Sequence, residues 1–221
     1  MHEHGALRLS TSLTYAAPVA ATSLFVTSLG SVVPGIYAKT YGVSLATLAA
    51  ITLVTRLLDA LGDPLIGWYS DRRRSCGGTR RPFVVAGAAA MVAGSVLLGL
   101  TPVGPAATWF AVASVLVYFG WSAFDIAHNA WGTELAPGYT ARSRLFGVRA
   151  MAFYAGTLVL FLLPMLPGQP TSAITAQTLL QAAVVGTAIY VLALPLLLRL
   201  PNPAPSPATT SHHDSSRELL R

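Results

Sequence analysis

Charged side chains are scarce in this chain of 221 residues, of which only 10% are Asp, Glu, Lys or Arg while 53% are hydrophobic. Soluble globular domains carry about 25% charged residues, so this composition excludes an ordinary water-soluble fold and indicates a protein that lies in the bilayer. The net charge of +6 does not indicate a nucleic-acid partner, because the basic residues alternate with long apolar runs and form no single patch.

Cysteine is almost absent as well. Cys76 is the only one, and it lies in an arginine-rich segment, so no disulfide and no cysteine-based structural metal site can form within one chain. The first ten residues lack the basic and apolar regions of a signal peptide, so we expect the first apolar segment to be retained. No arrangement typical of hydrolases, metalloenzymes or nucleotide-binding loops occurs in a suitable context, and an enzyme is therefore not expected.

Six apolar segments are each long enough to cross a membrane, which takes about 20 residues. They cover residues 13–37, 44–69, 82–101, 108–135, 145–166 and 177–200. The breaks between them are short, so neighbouring helices should be antiparallel, and the predicted fold is an all-α bundle of six transmembrane helices over residues 13–200. We expect residues 1–12 to be a cytoplasmic N-terminus and residues 201–221, rich in Pro, Ala, Ser and Thr, to be a disordered cytoplasmic tail or linker.

The basic residues indicate the orientation, because Lys and Arg in short loops favour the cytoplasmic side. All the arginines outside the predicted helices fall on one side of this topology, and only Lys39 falls on the other. The sequence therefore predicts a multi-pass protein of the cell membrane with both termini in the cytoplasm.

Three charged residues interrupt the second apolar segment: Arg56, Asp59 and Asp63. Their spacings of three, four and seven place them on one helical face. A charged side chain at the centre of a span costs about 3 kcal/mol, so such residues usually face a cavity or one another. Two carboxylates one turn apart can ligate a small cation or share a proton. The alternative is a salt bridge from Arg56 to one aspartate that serves only to assemble the bundle.

Polar residues also share one face of the fourth segment, where Ser122, Asp125 and Asn129 recur at i, i+3 and i+7. A carboxylate and an amide beside aromatic residues suit a polyol, because they bind hydroxyls while rings cover the apolar faces of a sugar. The alternative is that Ser and Asn only join helices by hydrogen bonds. His128, taken alone, is expected to be a packing histidine rather than a proton relay.

Gly67, Asp71 and Arg72 follow a Gly-x-x-x-Asp-Arg pattern at the start of the polar segment 70–81. Glycine permits close helix packing, and Asp71 can pair with an arginine at the membrane edge. The spacing favours a conformational loop that changes its contacts between states. The alternative is a basic cytoplasmic loop that reflects topology alone.

These motifs together resemble the glycoside-pentoside-hexuronide:cation symporters of the major facilitator superfamily, typified by melibiose permease. Residues 56–82 are similar to the helix II signature of that family, and residues 125–149 are similar to its helix IV to V signature. Members of the family have twelve helices in two six-helix halves with the substrate between them. The resemblance therefore implies the amino-terminal half of a major facilitator fold.

The resemblance also implies roles for residues at matching positions. It implies a cation site at Asp59, Asp63 and Ser122, with Arg56 as a charge partner and Na⁺, H⁺ or Li⁺ as the coupling cation. The resemblance implies a second site, for a sugar, formed by three further residues: Asp125, Asn129 and Arg149. The family has Pro-Tyr after the isoleucine at position 126, whereas this chain has Ala127 and His128.

The implied function is cation-coupled symport of a sugar or a related polar solute by a half-length transporter. Its expected partners are membrane lipids, the solute, and either a complementary six-helix half or a second copy of this chain. Alternatives are transport of a lysolipid or a similar amphiphile, and a truncated membrane subunit that does not transport. No cofactor besides the cation, no structural metal and no nucleic acid are expected.

Overall fold

The computed structural model describes residues 8–102, 104–166 and 173–203, and within these ranges the secondary structure is helical. The α-helices are α1 (Leu9–Thr27), α2 (Val33–Tyr41), α3 (Leu45–Ser75), α4 (Arg81–Gly99), α5 (Ala106–Leu135), α6 (Tyr139–Leu162) and α7 (Ala176–Leu198). A π-helical turn (Ser28–Val32) joins α1 to α2, and a 3₁₀ turn (Leu163–Met165) extends α6. The described residues contain six apolar helical segments of membrane-spanning length, with α1 and α2 forming one of them. The predicted number of spans is therefore confirmed.

Several helices extend beyond the apolar segments. α3 continues to Ser75, although the sequence predicted a loop from residue 70, and α6 begins at Tyr139 rather than near residue 145. The prediction for residues 70–75 was wrong because three arginines in the last turn favour the negative end of the helix dipole while their long side chains reach water. Gly77, with a positive φ of 79°, follows the end of the helix. Residues 1–7 and 204–221, which include most of the two predicted terminal segments, lie outside the described residues.

Glycines lie at the closest crossings of the helices, where the absence of a side chain lets the two backbones approach. A Cβ atom at Gly87 of α4 would lie 2.5 Å from the carbonyl oxygen of Gly120 in α5, so the two backbones are in direct contact. A Cβ atom at Gly156 of α6 would overlap the carbonyl oxygen of Ala20 in α1. Such contacts provide the van der Waals attraction that membrane helices need, because lipid supplies little hydrophobic driving force between them.

The bundle has a buried side and an open side. α1 packs against α6 and α7, while α5 packs against α3 and α4, and α7 also contacts α4. In the first span 61% of the most apolar stretch is buried, whereas the corresponding fractions are 17% for α3 and 22% for α6. The polar residues predicted for the site lie where α3 meets α5 and where α5 meets α6.

Candidate functional site

α3 meets α5 along a narrow stripe that contains the first aspartate. Gly62 allows the approach, since a Cβ atom there would lie 2.8 Å from the ring of Phe119. One turn earlier, Asp59 is only 6% exposed, and its Oδ1 accepts a hydrogen bond of 2.7 Å from the hydroxyl of Ser122. The structure thus brings together two residues that came from separate sequence motifs.

Arg56 lies beside Asp59 but is shared with aromatic rings. Its Nη1 is 3.9 Å from Asp59 Oδ2, and its side chain is 43% exposed. Its Cζ lies 3.9 Å from the ring centroid of Tyr118 and 5.6 Å from that of Trp121, both within the range of cation–π attraction. The ion pair is therefore long, and the guanidinium provides Asp59 with only part of a counter-charge.

Asp63 is one turn further along the same face. Its Oδ1 is buried, and no hydrogen-bond partner for that atom occurs in residues 8–102, 104–166 and 173–203. A buried carboxylate oxygen without a partner loses its hydration without compensation, which is costly and uncommon in native proteins. The salt-bridge alternative accounts for Asp59 in part and does not account for Asp63. Carboxylate and hydroxyl oxygens are the ligands that hard cations prefer.

A second polar cluster connects α5 to α6. Asp125 Oδ1 forms an ion pair with Arg149 Nη2, and Asp125 Oδ2 accepts a hydrogen bond of 2.7 Å from Asn129 Nδ2. Both oxygens of the carboxylate are therefore engaged. The Oδ1 atom of Asn129 is buried, and the described residues provide no donor for it. The three residues assigned to the solute by resemblance thus lie in one hydrogen-bonded group.

His128 is fully buried beside this group. Its ring is stacked between the rings of Tyr15 and Phe124, at centroid distances of 4.0 and 5.1 Å. Its Nε2 is 3.0 Å from the carbonyl oxygen of Tyr15, and its Nδ1 accepts a hydrogen bond of 3.5 Å from Arg149 Nε. The packing role expected from the sequence is therefore accompanied by a contact to Arg149 that the sequence did not indicate.

α3 contains all three residues of the predicted conformational loop, Gly67, Asp71 and Arg72, and Asp71 has the arginine partner that the sequence suggested. Arg72 lies over the ring of Trp68, with 5.0 Å between its Cζ and the ring centroid, while Asp71 pairs with Arg80 at 2.6 Å. A Cβ atom at Gly67 would lie 3.9 Å from Ile126, an ordinary contact, so close packing does not require glycine there.

Glu134, at the end of α5, is the centre of the charge cluster at this edge. Its carboxylate accepts hydrogen bonds from Arg74 Nε at 3.0 Å and from Arg80 Nε at 3.1 Å. Both arginine side chains are buried, with 6% and 10% exposure. The sequence signal for this cluster is weak, because five arginines lie between residues 72 and 81 and their spacing does not indicate which ones face α5.

Three backbone carbonyl groups in the segment after the last helix contact this edge of the bundle. Arg81 Nη2 donates to the carbonyl oxygen of Leu200 at 2.9 Å, and Trp131 Nε1 donates to that of Pro201 at 3.1 Å. Arg74 Nη2 donates to the carbonyl oxygen of Pro203. The end of the sixth span is thus connected to α3, α4 and α5 by side-chain contacts with its backbone.

Comparison with known proteins identifies relatives through a short segment. Over 66 residues the chain is 39% identical to "Uncharacterized symporter YnaJ" of Bacillus subtilis (strain 168) and, over an equally long segment, to "Putative glycoside/cation symporter YagG" of Escherichia coli (strain K12). In both comparisons the segment is 30% of this chain and only 14% of the relative. The relatives are therefore matched over much less than their full length.

The family comparison covers far more of the chain. Residues 14–211 match the family described as "MFS/sugar transport protein", a range that includes all the spans after the start of α1. This match agrees with six membrane-length apolar helices and with a transport protein rather than an enzyme. The chain belongs to the MFS/sugar transport protein family.

Proposed function

We propose that this chain binds a monovalent cation at Asp59, Asp63 and Ser122 and couples it to the transport of a neutral sugar-like solute. The observation that carries the proposal is the buried Oδ1 of Asp63, for which the described residues supply no partner. The cation cluster, with Arg56, and the cluster of Asp125 and Arg149 together contain three aspartates and two arginines, so one negative charge remains. One Na⁺, H⁺ or Li⁺ would neutralise it.

The solute site is the cluster of Asp125, Asn129 and Arg149. The ion pair between Asp125 and Arg149 is neutral as a unit, which favours an uncharged solute over a sugar acid or an amine. The buried Oδ1 of Asn129 needs a donor, and a sugar hydroxyl provides one while accepting a hydrogen bond from Arg149. The name of one relative, which includes "glycoside/cation symporter", supports this class of solute.

The two sites are coupled through α5. Ser122 contacts the cation aspartate on α3, and Asp125 lies one turn further along α5 in the solute cluster. Cation binding offsets the repulsion between Asp59 and Asp63 and stabilises the contact that Ser122 of α5 makes with Asp59 of α3. A solute that binds better to this arrangement is then bound more tightly in the presence of the cation, and the coupling is reciprocal.

Transport requires a second six-helix bundle to close the site. α3 and α6 expose apolar faces on both sides of the polar clusters, including Leu61 and Leu65 of α3 and Met151 and Tyr154 of α6. These faces fit either a complementary half or a second copy of this chain. In the proposed orientation both termini are cytoplasmic, and the cluster around Glu134 stabilises one of the two access states.

The test is a Na⁺ titration of the purified chain in nanodiscs, followed by tryptophan fluorescence, in the presence and absence of the methyl glycosides of galactose, glucose and xylose. The wild-type chain should respond to Na⁺ and bind at least one glycoside more tightly in its presence. The Asp63→Asn variant should lose the Na⁺ response. The Asp71→Asn variant is the matched control, because it removes a carboxylate from the same helix at a position 69% exposed and outside the cation site.

A folded wild-type chain that responds to no Na⁺, Li⁺ or pH change and binds none of the glycosides would contradict the proposal. That result would favour the alternative of a membrane subunit that does not transport. A Na⁺ response that persists in Asp63→Asn would show that the cation binds elsewhere.

A further inference from the structure

The environment of His128 determines which of its ring nitrogens carries the proton. Nε2 lies 3.0 Å from the carbonyl oxygen of Tyr15, which can only accept, so Nε2 carries a hydrogen. Nδ1 lies 3.5 Å from Nε of Arg149, which can only donate, so Nδ1 carries none. A cationic ring would place two donors opposite each other at the second contact. Both contacts are satisfied only by a neutral imidazole protonated on Nε2.

The position of this ring is fixed from both sides. The ring planes of Tyr15 and Phe124 are inclined by only 14° and 18° to that of His128, so the imidazole is stacked between them. The hydroxyl of Tyr15 also donates a hydrogen bond of 2.8 Å to the carbonyl oxygen of His128. A half-turn of the ring would keep the stacking but would lose the contacts of both ring nitrogens, so Nδ1 is held as an acceptor facing Arg149 of α6.

This fixed acceptor orients the guanidinium of Arg149. All the N–H groups of a guanidinium lie in one plane. His128 accepts one from Nε, and Asp125 accepts one from Nη2. Two anchors on a planar group restrict its orientation and therefore the directions of its remaining N–H groups. Asn129 shares the carboxylate of Asp125 with Arg149, and its buried Oδ1 is left unpaired by the described residues. An arginine held only by Asp125 could rotate about that contact.

We propose that His128 is a positioning residue of the solute site, which fixes Arg149 so that its remaining N–H groups can bind a hydroxyl of a neutral sugar. The inference deepens the proposed function and rests on it. It applies to a position where this chain departs from the symporters that it resembles, which have Tyr where this chain has His128. The inference differs from simple packing, because packing requires the ring and not an acceptor at Nδ1.

Three substitutions separate these two roles. His128→Phe keeps a stacked ring and removes both nitrogens, whereas His128→Asn places an amide oxygen near the position of Nδ1 and removes the ring. His128→Gln extends its polar group toward the position of Nε2 and leaves Arg149 without its acceptor. If His128 positions Arg149, His128→Phe and His128→Gln should weaken methyl glycoside binding by about tenfold, the effect of one hydrogen bond to a charged group. His128→Asn should retain more affinity than His128→Phe.

The Na⁺ affinity of the same preparations is the internal control. Asp59, Asp63 and Ser122 make no described contact with His128, so Na⁺ affinity measured without glycoside should not change in variants that remain folded. A packing role predicts the reverse order, with His128→Phe close to wild type and His128→Asn the weakest. That order would overturn the inference.

A second measurement needs no solute. In the ¹⁵N NMR spectrum of histidine-labelled chain, the His128 signals are identified by their absence in His128→Phe. Nε2 should be protonated, and Nδ1 should be an unprotonated acceptor whose resonance shifts in Arg149→Lys, because lysine has no Nε–H at that position. A protonated Nδ1, or one that does not respond to Arg149→Lys, would overturn the positioning role even if Na⁺ and glycosides bind.

Failure of the wild-type chain to bind any glycoside would overturn the solute role together with the proposed function. The NMR result would still decide whether His128 holds Arg149.

Discussion

The three aspartates of the candidate site are compensated to different extents. Asp125 has a guanidinium on one oxygen and an amide on the other. Asp59 has a hydroxyl at 2.7 Å and a guanidinium that is 3.9 Å away. Asp63 has a buried oxygen for which the described part of the chain supplies nothing. The need for an external positive charge therefore increases from Asp125 to Asp59 to Asp63, which supports the separation of a solute cluster from a cation cluster.

Ser122 provides a direct test of this order. Replacing it by Ala removes the described hydrogen bond to Asp59 Oδ1 and one neutral oxygen that could contact the cation. We expect Ser122→Ala to lower Na⁺ affinity by about tenfold, corresponding to one hydrogen bond to a charged group. Ser122→Thr should retain most of the affinity, because it keeps the hydroxyl. The measurement is the same fluorescence titration with Na⁺.

Ser114→Ala is the matched control for that substitution. Ser114 lies on the same helix and is also buried, but its hydroxyl has no partner among the described residues. Its loss should leave Na⁺ affinity unchanged. Equal effects of the two substitutions would mean that Ser122 acts through the packing of α5 and does not contribute to the cation site.

The sequence indicated which residues share a helical face but not which ones meet across helices. Asp59 and Asp63 were grouped correctly on one face because a turn of helix fixes their spacing. The contact between His128 and Arg149 depends on how α1 and α6 pack beside α5, which no local pattern encodes. The same limit applies to Asp71, for which the sequence suggested an arginine partner without indicating that the partner is Arg80.

Among the elements, the charge cluster around Glu134 joins three helices at one edge of the bundle. Arg74 lies in the last turn of α3, Arg80 directly precedes α4, and Glu134 lies in the last turn of α5. Any separation of α3 from α5 must therefore break these contacts. The carbonyl oxygens of residues 200, 201 and 203 are held at the same edge. The cluster therefore links the packing of α3 to the position of the chain that leaves α7.

Removing the charge of Glu134 should destabilise the folded bundle. Glu134→Gln would leave two buried guanidiniums without their shared carboxylate, and breaking a buried pair in this way costs about 3 kcal/mol or more. The expected result is a clear decrease in the temperature of thermal unfolding in detergent. Asp71→Asn is the comparison, because it breaks an ion pair with the same Arg80 at a carboxylate 69% exposed, where about 1 kcal/mol or less is expected. A larger effect for Asp71→Asn would contradict this account.

The ends of the helices show where hydropathy stops being informative. Apolar runs predicted six spans because each must cross the hydrocarbon core, and six were confirmed. Hydropathy could not predict that α3 continues through its arginines to Ser75. The backbone hydrogen bonds of a helix also form in water, so a helix can extend beyond the apolar segment that crosses the lipid. The residues predicted for a conformational loop therefore lie within α3, and the polar segment between α3 and α4 is limited to residues 76–80.

At the scale of the whole molecule, the six spans leave one face of α3 and one face of α6 uncovered. Only 17% and 22% of their most apolar stretches are buried, although each of them contributes to a polar cluster with α5. Lipid could cover the apolar residues but would leave the aspartates beside hydrocarbon, which is unfavourable. A second bundle that covers both faces would enclose the clusters in a protected cavity, and this argument supports the proposed need for a partner half or a second copy.

The proposed orientation can be tested with the single native thiol. Cys76 is exposed directly after α3, and Gly104 is exposed in the turn between α4 and α5, at the opposite end of α4. If the arginine-rich edge is cytoplasmic, a membrane-impermeant maleimide should label Cys76 only after the cells are permeabilised. In a Cys76→Ser background, Gly104→Cys should be labelled in intact cells. Labelling of Cys76 in intact cells, with protection of Gly104→Cys, would mean that the bundle is inserted the other way round and that the cluster around Glu134 faces the outside.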